Sequence, residues 1–234
     1  MIFFIALFIF SSIKILNWKK NNDKNRKINE TLHEYIRVGG NEKYNIDFDK
    51  LESKNEDTVA YIRVFGTKID YVVVRGSDNE YYLNHDYNKG NNQSGWIFAD
   101  MSNRFDGTDK NIVIYGHNTI DGSMFGSLKN VLSSSWRDEY KDKDIILVTK
   151  SGMQRYKVFS TYKIENEEYY IQTYFESENS YKEFLTNVKA RSNYKYDVDI
   201  SNAESILTLS TCANNGKNRV VLHALRIVEE QNEQ

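Results

Sequence analysis

The first segment of the chain is almost wholly apolar. Residues 1–10 are all apolar, and the run continues to Trp18 with four polar interruptions. At 1.5 Å per residue, 18 residues of helix are about 27 Å long, the short end of what spans a bilayer. No small-residue cleavage site follows, because Asn17-Trp18-Lys19-Lys20 comes next. The pattern favours an uncleaved membrane anchor over residues 1–18, with a cleaved signal peptide as the alternative.

Beyond the anchor the spacing of apolar residues becomes helical. A helix is predicted to end at the pair Gly39-Gly40, on the basis of four residues that recur at helical spacing: Ile28, Leu32, Tyr35 and Ile36. A second, short helix is predicted over residues 47–53. Residues 19–56 are therefore interpreted as a juxtamembrane helical segment.

From Thr58 onward the pattern changes to short β-branched and aromatic runs, which are typical of strands. Such closely spaced runs indicate an all-β barrel or sandwich, here over residues 57–229, before a polar tail at 230–234. The predicted strands are 59–64, 69–74, 95–99, 111–115, 144–149, 153–164, 205–211 and 218–228.

Two helices are predicted to interrupt the strands. The first lies around residues 124–132. The second covers residues 177–192 behind a Ser or Asn cap, with an apolar stripe at positions i, i+3, i+4 and i+7. Its members are Tyr181, Phe184, Leu185 and Val188.

Basic residues cluster at the end of the apolar run and directly after it. Between Lys14 and Lys27 six basic side chains stand against one acidic side chain, a net +5. The positive-inside rule would keep this flank in the cytoplasm. No basic residue precedes the apolar run, so the charges do not settle the topology. A start codon assigned too late would also explain why no basic residue precedes it.

Composition narrows the class of protein. The 234 residues include 31 basic and 33 acidic side chains, a net charge of −2, which argues against a nucleic-acid binder that works through bulk positive charge. The absence of proline excludes collagen-like and polyproline structures. The single cysteine excludes an internal disulfide and a cysteine-rich zinc site. The sequence indicates no cofactor and no metal site.

The single cysteine, Cys212, ends a predicted strand and precedes a loop at residues 213–217. A thiol at such a junction is exposed enough to react. The alternative is a buried small hydrophobic residue. If the next strand pairs with this one as a hairpin, Arg219 lies beside Cys212, where a guanidinium favours the thiolate and stabilises an oxyanion.

Arg226 is the rival arginine. Seven residues farther along a strand, it lies roughly 23 Å from Arg219 and faces the opposite side. The hairpin therefore favours Arg219 as the partner of Cys212. The alternative for Arg219 is a solvated charge at a strand end.

Four histidines are candidates for a proton carrier. His33 and His85 are predicted to face solvent, and His223, in the middle of a strand, is interpreted as a satisfied core or face histidine. His117 leaves the end of a strand directly after Gly116, which permits close approach of the backbone. An imidazole there suits acid-base catalysis beside a thiol. A zinc site of Cys212, His117 and His223 lacks a fourth ligand and a motif spacing.

These motifs together resemble the sortase family. The signature is Thr208-Leu209-Ser210-Thr211-Cys212, followed by Arg219-Val220-Val221-Leu222-His223-Ala224 and preceded by Tyr115-Gly116-His117-Asn118. Papain-like proteases place the cysteine before the histidine, and the Ser-His-Gly-Cys motif of L,D-transpeptidases is absent. Ser210 before Thr211, the two predicted N-terminal helices and the helix at 177–192 resemble class B.

The resemblance implies a closed, eight-stranded, mainly β barrel with N-terminal helices and a helix between the sixth and seventh strands. It implies an extracellular cysteine transpeptidase of a Gram-positive cell, held by a single N-terminal anchor. Such an enzyme cuts surface proteins at a C-terminal sorting motif and joins them to an amine of cell-wall peptidoglycan. The implied roles are Cys212 as nucleophile, His117 as general acid and base, and Arg219 as oxyanion stabiliser. The implied substrate groove is Asn79, Leu83, Tyr115, Tyr170, Ile171 and Ser210.

Two features depart from the family pattern. The basic flank favours the reverse topology, and the loop between Cys212 and Arg219 is compact. Two other functions stay open on the residues themselves. One is a membrane-tethered cysteine protease, in which water resolves the intermediate. The other is a surface β-barrel binding module with a fortuitous cysteine.

Overall fold

The computed structural model describes residues 2–165, 167–212 and 218–227. The predicted polar tail at 230–234 and the loop at 213–217 lie outside the described residues, as does Met1 at the start of the predicted anchor. Within the described ranges, five short 3-10 turns join the main elements: His33–Tyr35, Gly40–Glu42, Tyr81–Leu83, Leu128–Leu132 and Tyr169–Ile171.

One long helix, α1 (Ile2–Leu32), contains both the predicted anchor and the start of the segment behind it. None of the helices within the described residues combines the length and the apolar character that a membrane crossing requires. The predicted helix through Ile36 is wrong, because Ile36–Gly39 is strand β1, paired antiparallel with β2 (Lys43–Ile46). Ile28 and Leu32 belong to the end of α1, whereas Ile36 pairs with Ile46.

The short predicted helix after this hairpin is confirmed. Helix α2 (Phe48–Lys54) begins behind Asp47, whose carboxylate accepts a hydrogen bond from the Lys50 amide at 3.1 Å. This is the usual way to satisfy a free amide in the first turn. Phe48 and Leu51 are buried.

Eight strands close into a barrel, as the sequence predicts. In chain order they are β3 (Thr58–Arg63), β4 (Asp70–Val74), β5 (Phe98–Ala99), β6 (Asn111–His117), β7 (Ile145–Thr149), β8 (Gly152–Ile164), β9 (Ile206–Cys212) and β10 (Arg219–Ile227). Around the barrel their order is β10-β8-β7-β3-β4-β5-β6-β9. The pairs β4–β5 and β6–β9 are parallel and the other pairs are antiparallel.

Strand β5 is shorter than the predicted run 95–99. Gly95 has a φ of +56° and its amide bonds to the Asn92 carbonyl, so it belongs to a turn. The Trp96 amide bonds to the Tyr82 carbonyl at 2.9 Å, outside the barrel ladder. Pairing with β4 and β6 therefore begins only at Phe98.

The two predicted helical insertions differ in outcome. Around residues 124–132 only the 3-10 turn Leu128–Leu132 forms, and the φ of +48° at Met124 excludes that residue from a helix. An unpredicted helix α3 (Ser134–Tyr140) follows. Helix α4 (Glu178–Ala190) is confirmed between the sixth and seventh barrel strands. Its predicted apolar stripe is buried against side chains of the barrel wall that include Phe159, Ile206 and Val221.

Candidate active site

Two strand ends bring His117 and Cys212 together. Strands β6 and β9 run parallel, in a register that continues from Asn111 opposite Ile206 to His117 opposite Cys212. Parallel strands end at the same edge of a sheet, about 4.8 Å apart. The backbones of the predicted acid-base residue and the predicted nucleophile are therefore neighbours at one rim of the barrel.

The same rim carries Arg219. Strand β10 is antiparallel to β9, with Val221 opposite Ser210, and the Val220 amide bonds to the Thr211 hydroxyl at 2.8 Å. Arg219 opens β10 beside the end of β9. Arg226 lies at the far end of the strand, where its amide bonds to the Ser205 carbonyl at 3.1 Å. The structure brings Arg219, and not Arg226, to the rim that holds His117.

His117 is held by the backbone of a neighbouring loop. Its ring Nε2 lies 2.6 Å from the Leu83 carbonyl oxygen. A carbonyl only accepts, so Nε2 carries the donated hydrogen and Nδ1 takes no part in this hydrogen bond. Gly95 lies on the edge of the same ring, since a Cβ built there would lie 2.9 Å from Cδ2 of His117.

A carboxylate that the sequence interpretation missed joins two predicted groove residues. Asp100 is buried, and its Oδ2 accepts from the Tyr115 hydroxyl at 2.8 Å and from the Asn79 side-chain amide at 2.9 Å. Oδ1 accepts from the Ser102 amide at 2.9 Å. The one available signal is its position directly after strand β5, where polar residues at strand ends often carry function.

Two other predicted groove residues, Tyr170 and Ser210, meet at strand β9. The Tyr170 and Ser210 hydroxyls are hydrogen-bonded at 2.9 Å, and both residues are buried. Ser210 is the register partner of Tyr115 on β6. Burial, then the Asp100 carboxylate, raises the pKa of Tyr115, with Tyr170 acting in the same direction and the Arg219 guanidinium opposing it.

Five of the six predicted groove residues take part in hydrogen bonds with one another, with Asp100 or with His117. Asn79 and Tyr115 meet at Asp100, and Tyr170 meets Ser210. Leu83 supplies the carbonyl that holds His117. Ile171 is partly buried in the same 3-10 turn as Tyr170.

The other three histidines lie elsewhere. His223 is fully buried between the Tyr162 and Thr208 hydroxyls, each at 2.8 Å, and burial lowers its pKa to about 3. It is a satisfied core histidine, as predicted. His33 and His85 are partly buried rather than solvent-facing: His33 lies 3.2 Å from the Asp70 carbonyl, and His85 stacks on Tyr81 with ring centroids 4.0 Å apart.

Metal binding has no site among the described side chains. No group of three or more His, Cys, Asp or Glu residues there is arranged to hold a metal ion. The rim holds the His117 imidazole and the start of β10 at Arg219, beside the end of β9 at Cys212.

The comparison with known proteins defines the class. A family model described as a sortase domain matches residues 61–227 of the 234. The chain belongs to the sortase family, and the resemblance found in the sequence is confirmed. Within that family its similarity is to sortase B proteins, which also confirms the predicted class.

Two curated relatives and one solved structure illustrate this similarity. Sortase B of Listeria monocytogenes serovar 1/2a is 37% identical over 169 residues, which cover 69% of this chain and 65% of that protein. Sortase B of Staphylococcus aureus is 33% identical over 196 residues, covering 84% and 76%. The crystal structure of sortase B from B. anthracis in complex with AAEK1 has a TM-score of 0.78 at 29% identity, covering 89% of this chain and 98% of that one.

Proposed function

We propose that the protein is a class B sortase-like cysteine transpeptidase. The observation that carries the proposal is the parallel register of β6 and β9, which sets His117 opposite Cys212, with Arg219 at the start of the next strand. The membership of the sortase family supports the same chemistry. The substrates are surface proteins with a C-terminal sorting motif, and the acceptor is an amine of cell-wall peptidoglycan.

The first half of the proposed cycle forms a thioester. The Cys212 thiolate attacks the scissile carbonyl carbon, and the electron pair moves to oxygen, where the Arg219 guanidinium stabilises the negative charge. The carbon–nitrogen bond then breaks. The leaving amine takes a proton from His117, through the Nδ1 that the Leu83 carbonyl leaves available.

The second half transfers the acyl group to the acceptor. An amine of the cell-wall peptide attacks the thioester carbonyl and gives its proton to His117. The carbon–sulfur bond breaks, Cys212 leaves as thiolate, and a new amide remains. Water in place of the amine gives a free acid, which is the reaction of the alternative cysteine protease.

The groove is proposed to hold the sorting motif along its hydroxyl and amide groups. The hydrogen of the Tyr115 hydroxyl is donated to Asp100, so its oxygen remains an acceptor. Asn79 gives one amide hydrogen to Asp100 and accepts the Met101 amide at 2.8 Å, which leaves its second hydrogen as a donor. Such a pair suits the donors and acceptors of a peptide.

Attachment to the membrane is proposed for the apolar end of α1. Phe3, Phe4 and Phe8 are 68%, 73% and 74% exposed in the described chain. Lipid is the environment that removes such side chains from water. In this proposal residues 1–18 hold the barrel at the outer face of the cell membrane.

The experiment that tests the activity uses the full chain in detergent with a library of sorting-motif peptides. Each peptide is incubated with and without a short glycine or diamino-acid nucleophile, and the products are identified by mass spectrometry. We expect a product that contains the amine, and its loss in Cys212→Ala. Arg219→Ala is expected to lower turnover at least tenfold, because it removes an oxyanion partner.

Arg226→Ala is the matched control, because it removes the same charge from the other end of the same strand. It is expected to keep turnover within about twofold of the unmodified chain, as is usual away from a site. If free acid forms in the same amount with and without the amine, the protein is a protease and the proposed transpeptidase activity is wrong. No product, together with no labelling of Cys212 by a thiol reagent, would favour the binding module.

A further inference from the structure

The polar second half of α1 lies against the two loops that flank His117. One loop runs from the 3-10 turn at Tyr81–Leu83 to Gly95, and it supplies the Leu83 carbonyl that binds the imidazole. The other follows His117 itself and returns at Phe125, whose amide bonds to the His117 carbonyl at 3.0 Å. The first loop thus contacts the ring of His117 and the second contacts its backbone.

Asn25 fastens the first loop at Gly95, which lies beside the edge of the imidazole. It is 1% exposed, and its side-chain amide donates to the Gly95 carbonyl at 2.9 Å. Its side-chain oxygen accepts from the Asn92 amide at 2.8 Å. Gly95 in turn packs against the edge of the His117 ring, where a built Cβ would meet Cδ2. The side chain of Asn25 therefore connects helix α1 directly to Gly95, which lies beside the imidazole.

Asn22, one turn earlier, bridges the two loops. Its amide donates to the Asp121 carboxylate at 2.9 Å in the loop after His117, and its oxygen accepts the Ser94 hydroxyl in the loop before. Lys24 adds an ion pair of 2.5 Å to Asp86, whose carboxylate is buried and also accepts the amides of Asn88 and Gly90. The helix thus contacts both loops through polar groups.

A buried asparagine amide that loses its hydrogen-bond partner destabilises the fold. Few other side chains are therefore tolerated at Asn22 and Asn25. Bonds from a rigid helix to two loops are an effective way to fix a catalytic group within a fraction of an ångström.

We propose that Asn25 is a positioning residue for His117, acting through Gly95, and that Asn22 supports it from the second loop. The expected effect on kcat rests on the proposed function, whereas the expected effect on the position of His117 does not. It makes the helix that begins in the proposed membrane segment a part of the active-site framework. A small displacement of the imidazole then lowers the rate of proton transfer more than it lowers peptide binding.

The test variant is Asn25→Asp in the full chain. The carboxylate keeps the size of the side chain and the bond from Asn92, but it cannot donate to the Gly95 carbonyl. We expect kcat for the amine-dependent reaction to fall about tenfold or more, as misplacement of a catalytic group does, while KM for the peptide stays within about twofold. The imidazole NMR signals of His117 are expected to move in the same variant.

The matched control is Asn29→Asp, one turn farther along the same helix. Asn29 donates to the Asp70 carbonyl at 3.0 Å, a bond of the same kind, beside His33 and not beside His117. It is expected to leave kcat and the His117 signals unchanged. Thermal unfolding of both variants compares their stability, and Asn22→Ala replaces Asn25→Asp if the latter does not fold.

Three outcomes would overturn the proposal. They are an unchanged kcat and unchanged His117 signals in Asn25→Asp, equal losses in Asn25→Asp and Asn29→Asp, and a rise in KM with kcat preserved. Failure of the proposed function looks different. The unmodified chain would then give no amine-dependent product, while the His117 signals would still move in Asn25→Asp and not in Asn29→Asp.

Discussion

The two histidines next to β9 differ because of their partners. His117, at a strand end, has one backbone acceptor and remains partly exposed, whereas His223 is enclosed between two hydroxyls. Enclosure disfavours the charged form, which is why the pKa of His223 falls to about 3. The same imidazole is therefore the proposed proton carrier at one position and a neutral structural group at the other.

This burial predicts a pH dependence of stability. The unfolded chain binds a proton at His223 below about pH 6.5, and the folded chain does not until about pH 3. Stability is therefore lost as the pH falls through this window, by up to about 1.4 kcal/mol per pH unit. Between pH 7.5 and 5.0, the unfolding free energy of the unmodified chain is expected to fall about 2 kcal/mol more than that of His223→Gln.

Urea unfolding at pH 7.5, 6.0 and 5.0 measures this difference. His85→Gln is the control, because His85 is partly exposed, and its pH dependence should follow that of the unmodified chain. Parallel curves for the unmodified chain and His223→Gln would contradict the prediction.

At the residue scale, sequence reasoning found the groups that stand at strand ends. His117 and Arg219 were predicted from their places next to strands, and the structure brings both to the rim where Cys212 ends β9. Asp100 and Asn25 were missed. Their importance comes from partners 15 and 70 positions away, Tyr115 and Gly95, and no local pattern shows such contacts.

At the scale of elements, strand identity was predictable and pairing was not. Alternation and β-branching predicted all eight barrel strands, but the parallel contact of β6 with β9 depends on the path of the whole chain. Strand β1 was mistaken for helix because Ile36 continues the spacing of α1 by coincidence. Helix α3 is short and carries one buried residue, Trp136, so it lacks an apolar stripe that a sequence pattern can detect.

Helix α4 offers a test of how such an element begins. Ser177 caps it: its hydroxyl accepts the Ser180 amide at 3.2 Å, and the Ser180 hydroxyl accepts the Ser177 amide at 3.1 Å. Ser177→Ala is expected to lower the free energy of unfolding by about 1 kcal/mol, since it leaves a first-turn amide without this partner. Chemical denaturation measures the change.

Ser134→Ala makes the same chemical change at an exposed position inside the first turn of α3, where Ser133 is the cap. Its effect should stay within about 0.5 kcal/mol, the range of ordinary surface substitutions. An equal loss of unfolding free energy in both variants would show that the Ser177 cap does not stabilise α4 more than an ordinary surface serine does.

At the scale of the whole molecule, α1 joins two environments. Its first half exposes phenylalanines and its second half is hydrogen-bonded to the barrel loops. The combined substitution Phe3→Ser, Phe4→Ser and Phe8→Ser is expected to lower binding to lipid vesicles at least tenfold, because each buried aromatic contributes about 2 kcal/mol. Flotation with vesicles of phosphatidylglycerol and phosphatidylethanolamine measures it.

The control for this prediction changes apolar residues that are exposed elsewhere. The double substitution Val38→Ser and Tyr174→Ser removes side chains that are 48% and 76% exposed. Neither residue belongs to the apolar first part of α1. Flotation of this variant should match the unmodified chain. If the triple variant floats as well as the control, the proposed attachment through residues 1–18 is wrong.

The parallel contact of β6 with β9 also sets the order in which the site can mature. Between His117 and Cys212 the chain must build β7, β8 and α4, and pairing across so long a loop is slow compared with forming a hairpin. A partly folded chain keeps the imidazole and the proposed nucleophile apart. In the proposed function, acyl transfer therefore begins only when the barrel has closed, because closure is what pairs β6 with β9 and sets His117 opposite Cys212.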